Sequence, residues 1–281
     1  MNDHHHDDDR IDRGLAFDVG TLMNRRRALV LFAGAGAGVA LAACGGGDDP
    51  VATPSSTSTT AESSTAGDPG ASGAAIPDET AGPYPGDGSN GPDVLLESDI
   101  VRSDITSSFG SSTTVAAGVP LTVTLTVTDS DTGDALPGHA VYLWHCDREG
   151  RYSMYSEGVE GENYLRGVQE ADDDGKVTFT SIFPAAYAGR WPHIHFEVYE
   201  SLDRATSSGA ITATSQLAFP QDVCETVYAI DGYEQSIDNL AGVSLESDGI
   251  FSDGSDTQLA AMSGSVSGGY TAELTVPVAA T

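Results

Sequence analysis

The stretch "YAGRWPHIHFEVYE", residues 187–200, decides the fold class. From His193 onward the apolar residues Ile194, Phe196 and Val198 fall on alternate positions, the period of a β-strand whose successive side chains point to opposite faces. The same period places His193 and His195 together on the other face, in a chain with seven histidines, three of them in a polar run at 4–6. Two neutral imidazoles side by side can converge on one metal ion, or can be an ordinary hydrogen-bonded pair. The neighbours have to distinguish these.

Outward from this strand the period of two recurs in "HAVYLWH" (139–145), "KVTFTSI" (176–182), "LTVTLTVTD" (121–129) and "YTAELTVPV" (270–278). Between them "DSDTGDALPG" (129–138) and "EADDDGK" (170–176) supply Asp and Gly for turns. No long segment carries a helical stripe. The expected fold class is all-β: a β-sandwich with Greek-key-like connections and long functional loops. The acidic stretch 172–175 lacks the ligand spacing and closing glutamate of a calcium loop, so it is expected to be a hairpin turn.

The net charge is −30 with a single lysine, Lys176, which leaves too few cations for phosphates and argues against nucleic acid or an anionic membrane surface as partner. At the N-terminus, "NRRRALVLFAGAGAGVALAACGGG" (24–47) has three arginines followed by 16 apolar or small residues. A spanning helix wants roughly 20 apolar residues, so the run is expected to be an export signal rather than a permanent span. The arginines resemble a twin-arginine signal and "LAAC" resembles a lipobox in which Cys44 receives a lipid; an uncleaved anchor helix is the alternative. The expected organisation is a signal segment at 1–44, a low-complexity flexible tether at 45–75 and a folded β-sandwich catalytic domain at 76–281. Such a protein would be exported to the outer face of the membrane, touching it only through the lipid on Cys44. Cys146 and Cys224 then remain either for a disulfide or as two separate buried thiols.

Three positions before His193 stands Arg190, and three before that Tyr187, entered through "IFPAA" (182–186). Upstream, "LWHCDREGRY" (143–152) ends a strand and delivers Tyr152 after a turn at Gly150. A hard trivalent metal favours anionic oxygen strongly enough to deprotonate a phenol, so two phenolates with two imidazoles suit iron(III). Zinc would bring cysteine or carboxylate ligands, and the common iron(II) site adds one carboxylate to two histidines.

Trp144 to Tyr152, followed by Tyr187, Arg190, His193 and His195, resembles the signature of the intradiol ring-cleavage dioxygenases, the catechol and protocatechuate 3,4-dioxygenase family. "ETAGPYPG" (79–86), "YLRGVQEADDDGKVTFTSIFP" (164–184) and "ATSQL" (213–217) are similar to further family segments, and the likeness spans about residues 78–220. The resemblance implies non-haem Fe(III) held by Tyr152, Tyr187, His193 and His195, with Tyr187 displaceable, Arg190 beside the substrate and Gln216 behind it. It also implies an aromatic 1,2-diol and dioxygen as substrates and a muconate-type product. The chain departs from the family in a shorter Tyr187–Arg190 spacing, in Glu79 where glutamine is usual, and in extra residues before Gln216. It also lacks the N-terminal helical dimerisation segment of the intracellular catechol dioxygenases, so the oligomeric state stays open.

The anionic surface favours an uncharged or bulky diol, unless Arg190 and Arg166 form a local basic pocket. Two other readings remain: a non-catalytic lipid-anchored binding module, and a zinc- or copper-binding envelope protein that adds His145 or His139 to the pair. Otherwise His139 and His145 are expected at polar strand edges, Trp144 in the core, and Tyr155 and Tyr164 in packing or a pocket wall. Residues 224–281 receive no role.

Overall fold

A computed structural model describes residues 74–279. The expected signal segment with Cys44, and nearly all of the tether, lie outside the described residues. Among the described residues no helix is long and apolar enough to cross a membrane.

Among the described residues eight strands form two four-stranded sheets. One contains β1 (Pro120–Asp129), β4 (Lys176–Ile182), β7 (Ala261–Ser265) and β8 (Gly269–Val278) in the order β4-β1-β8-β7. The other contains β2 (Ala140–Trp144), β3 (Arg166–Glu170), β5 (His193–Tyr199) and β6 (Ala213–Ala218) in the order β3-β2-β5-β6. The fold is therefore the expected all-β sandwich, with few and short helices. The pairings are antiparallel except between the central strands β1 and β8, which run parallel from Leu121 opposite Tyr270.

The two sheets differ in what covers them, and the sequence explains why. In β1 the residues Leu121, Val123, Leu125 and Val127 are buried while the intervening threonines are half exposed, the pattern of a sheet with one wet face. Every residue of β5 is buried. Its Ile194, Phe196 and Val198 join Val141, Leu143, Phe179 and Leu217 in the core between the sheets. On the opposite face Tyr142, Trp144, Tyr152, Val168 and Tyr199 form a second apolar cluster. This outer cover lets polar side chains on the β5 face sit away from water.

Two expectations change. The turn at 172–175 is tight, with Asp172 Oδ1 accepting the Asp174 and Lys176 amides at 3.0 and 2.8 Å. Its flanking strands β3 and β4 belong to different sheets, so it is an arch between layers and not a hairpin. The stretch after β6 is not featureless: it holds the helices α2 (Gln221–Tyr228) and α3 (Glu234–Ala241), after the single-turn α1 (Leu202–Ala205) that takes up part of the extra residues before Gln216. Both helices are too short to show a convincing period in sequence. Cys146 and Cys224 are separate buried thiols.

Candidate metal centre

His193 and His195 stand on the outer face of β5, and their Nε2 atoms lie 3.1 Å apart. The Nδ1 of His193 is 2.5 Å from the Trp191 carbonyl, to which it donates, so its Nε2 carries a lone pair. The Nδ1 of His195 is turned towards the Thr80 carbonyl without an aligned hydrogen bond. The two Nε2 atoms are within hydrogen-bonding distance of each other, and that of His193 also faces the Tyr187 hydroxyl. Burial, first of all, holds both imidazoles well below the usual histidine range; for His193 the Arg190 charge acts next, and for His195 the neighbouring His193 and then Arg190. Burial thus favours both rings as neutral imidazoles, the form that can share a cation.

The phenols complete the set. The Tyr187 hydroxyl donates to His193 Nε2 at 3.1 Å. Tyr152 packs edge-on to both Tyr187 and His195, with ring centroids 6.0 and 6.2 Å apart. Its hydroxyl is buried beside the Tyr187 phenol but makes no aligned hydrogen bond. Burial first, and the Tyr187 phenol next, push its pKa well above that of an ordinary phenol. A buried hydroxyl without a partner costs about 1–3 kcal/mol, and one beside a second phenol, on a ring packed edge-on to His195, suits a shared cation. Among the described residues no group of three or more His, Cys, Asp or Glu side chains could hold a metal. The donor set is two imidazoles with two phenols, the chemistry suited to iron(III).

Local structure fixes each donor. Trp144 lies opposite His195 in the β2–β5 register and stacks on it at 5.1 Å with the planes 6° apart, so this core tryptophan also sets the imidazole plane. The Tyr152 loop is shaped by Asp147, whose Oδ1 accepts the Glu149 and Arg151 amides while Oδ2 accepts from Arg151 Nε and the Tyr164 hydroxyl. The Gly150 turn, at φ 84°, comes so close to Tyr187 that an added Cβ would lie 3.5 Å from the tyrosine's own. Tyr155 packs on Tyr84 and accepts the Gly86 amide, tying residues 84–86 to the same loop.

Arg190 is fully buried, and its Nη2 donates to Gln216 Oε1 at 2.7 Å. Gln216 lies opposite His195 in the β5–β6 register, and its Nε2 donates to the Thr80 carbonyl at 2.9 Å. The expected residues Tyr152, Tyr187, Arg190, His193, His195 and Gln216 thus come together in one place. Sequence reading missed Asp248, which is buried and accepts from Arg190 Nε at 3.0 Å. Its one local signal is the "DGIF" turn at 248–251. A cavity of about 410 Å³ opens nearby between Asp93, Glu97, Phe109 and Met154, but none of the four donors lines it.

Three expectations are corrected. His145 is not a polar strand-edge residue: it is buried, with Nδ1 2.7 Å from the Cys146 carbonyl and Nε2 2.7 Å from Ser181 Oγ. Both nitrogens are engaged, so it is no third ligand. His139 precedes β2 at the end opposite Trp144, hence opposite His195. Arg166 forms no basic pocket, because its guanidinium is spent on the Tyr84, Pro85 and Ser153 carbonyls, Ser153 Oγ and the Tyr142 hydroxyl.

Burial lowers the His145 pKa from 6.5 to about 4, although the Cys146 carbonyl favours its charged form. Between these values the unfolded chain binds a proton that the folded protein refuses. The contribution of His145 to stability is therefore full above about pH 6.5 and is lost as the pH falls through about 4. A shift of this size corresponds to roughly 3 kcal/mol. A His145→Gln variant should lose that share of the acid slope in denaturant titrations; coincident pH profiles for the two proteins would refute the assignment.

A protein-family model described as Dioxygenase matches residues 91–230. Among solved structures, an intradiol ring-cleavage dioxygenase from Tetranychus urticae is similar at 25% identity and a TM-score of 0.58, covering 73% of this chain and 95% of that one. A second dioxygenase structure is similar at 24% identity and a TM-score of 0.58, covering 74% and 95%. The dioxygenase domain of a dioxygenase carbohydrate-binding protein fusion from Streptomyces sp. SirexAA-E aligns at 23% identity and a TM-score of 0.46, covering 73% and 98%.

Proposed function

Since this chain belongs to the intradiol ring-cleavage dioxygenases, we propose that it is a non-haem iron(III) enzyme that opens a catechol-type aromatic 1,2-diol with dioxygen to a muconate-type dicarboxylate. The observation that carries this is the convergence of His193, His195, Tyr187 and Tyr152 with two imidazole nitrogens 3.1 Å apart and a buried phenol lacking an aligned partner. These four residues would hold the ion. When bound, iron(III) supplies Lewis acidity that withdraws electron density from the coordinated diol and fits it to react with dioxygen.

The remaining chemistry falls to the chain. His193, His195 and Tyr152 are buried and fixed by packing, whereas Tyr187 is half exposed. Tyr187 is thus the donor least enclosed by packing, and as a phenolate its Oη would be the base that accepts a phenolic proton from the arriving diol. Arg190, cationic at any working pH, is held by Gln216 and stabilises negative charge on the ionised ring. Trp144 and the outer apolar cluster keep water from the imidazole side. The export signal and the lipid on Cys44 belong to the same proposal and would place the reaction outside the membrane, on a tether.

The test is a visible spectrum of iron-loaded protein before and after anaerobic addition of catechol, followed by oxygen uptake. Phenolate ligands should give a red-brown protein whose absorption shifts with catechol, and each diol should consume one dioxygen. A folded, iron-loaded but colourless protein would sink the donor assignment.

A further inference from the structure

We propose that Asp248 is the positioning residue for Arg190, and that by balancing its charge it selects diols whose ring carries no ionised substituent; this rests on the diol-cleavage reading of the site. Asp248 is fully buried and accepts four N–H bonds. Its Oδ2 takes Arg190 Nε at 3.0 Å and the Trp191 amide at 2.7 Å, while Oδ1 takes the Ile250 and Phe251 amides at 2.8 and 3.2 Å. One oxygen grips the arginine and the backbone beside it; the other is anchored to its own turn. The carboxylate therefore has one available orientation, and Gln216 holds the other side of the guanidinium.

Asp248 and its turn lie outside the matched family region, which ends at 230, in the C-terminal stretch that begins with the helix of Tyr228. The same segment fastens the whole approach to Tyr187 and Arg190. Tyr228 and Tyr233 donate to the Pro184 and Phe183 carbonyls, Ser236 Oγ accepts the Ala186 amide, and Asn239 Nδ2 donates to the Ala186 carbonyl at 2.9 Å. Asp248 completes this row at the arginine itself. The structure thus gives residues 228–251 the function that sequence reading left blank.

The charge balance carries the selectivity. A buried arginine without a counter-ion beside a substrate site would draw in a carboxylated ring, because ion pairing is strong where water is excluded. Here the Arg190–Asp248 pair is neutral as a unit. Glu79 also lies close enough to feel the Arg190 charge, its pKa raised to about 7 by burial, then by Asp253, and opposed by Arg190. A carboxylate on the ring would meet a compensated cation and nearby acids, and would lose its hydration for little return.

The experiment uses the full-length, iron-loaded protein with catechol and 3,4-dihydroxybenzoate as substrates. Asp248→Asn keeps an acceptor near Arg190 Nε and removes the charge. It should keep the visible spectrum of the resting protein, lower kcat for catechol, and raise kcat/KM for the carboxylated diol relative to catechol by about tenfold. Gln216→Glu adds a charge on the other side of Arg190 and should move the same ratio the opposite way, which keeps the test decisive if Asp248→Asn does not fold. An equal loss on both diols in Asp248→Asn, or an unmoved ratio in Gln216→Glu, would overturn the role of Asp248 while leaving diol cleavage intact. No turnover of any diol by the unmodified protein would remove the diol-cleavage reading and this inference with it.

Discussion

A Tyr152→Phe protein should fold, should lose the Tyr152 share of its red-brown colour when loaded with iron, leaving a weaker, shifted band from Tyr187, and should turn over catechol more than about 100-fold more slowly. Loss of even an outer partner of a metal ligand typically costs 10–100-fold, and this change removes a donor itself. The stability expectation is the more discriminating part. The Tyr152 hydroxyl is buried without an aligned hydrogen bond, while its ring packs on Tyr84, Tyr187 and His195. Phenylalanine keeps that ring and deletes only the unsatisfied group. The metal-free variant should therefore be as stable as the parent or more stable by about 1 kcal/mol, while the gain in melting temperature on adding iron should shrink. A metal-free variant that melts well below the parent would mean that the hydroxyl has a structural partner, and would count against its being kept for a metal.

Replacing Arg166 by methionine has the opposite signature. Its guanidinium is buried and donates to three backbone carbonyls, a serine hydroxyl and the Tyr142 hydroxyl, joining residues 84–85, 153 and β2. Methionine fills much of the space but leaves those acceptors buried without donors. At about 1–3 kcal/mol for each unsatisfied group, the loss should exceed about 3 kcal/mol even after relaxation, a large share of a normal domain's 5–15 kcal/mol. Urea denaturation should show a lower midpoint, and the Tyr152 loop should become sensitive to protease. A midpoint unchanged within about 0.5 kcal/mol would show that water replaces the arginine and that the three segments are held by other contacts.

The elements that were legible in sequence are those whose two faces differ. β1 alternates leucine or valine with threonine because one face is wet, and β5 alternates histidine with large apolar residues because one face is a core and the other a site. β6 reads "ATSQLA", and its Ser215 and Gln216 look like loop residues until their bonds to the Pro77 and Thr80 carbonyls are seen. β7, "AMSGS", is an exposed edge with little to bury. In the site, His193 and His195 announced themselves by spacing, whereas Tyr152 needed a known pattern to single it out among ten tyrosines. Asp248 had neither aid. It meets Arg190 across 58 residues of chain, and only the packing of the segment after β6 brings the two together.

The parallel pairing of β1 with β8 also governs how the molecule is made. Leu121 must wait for Tyr270, about 150 residues later, before the middle of its sheet exists, and loop closures of that length slow folding. A ribosome that has delivered β1 to β7 has therefore produced one complete sheet and a second in which β1 is paired with β4 alone, its other edge open and β7 without a partner. The four candidate donors are all synthesised by residue 195 and their own sheet by Ala218, yet the sheet packed behind it is finished only with Val278. Sheet completion and packing are thereby ordered in time: a chain arrested before β8 would carry every candidate donor on a finished sheet with no complete layer to pack against.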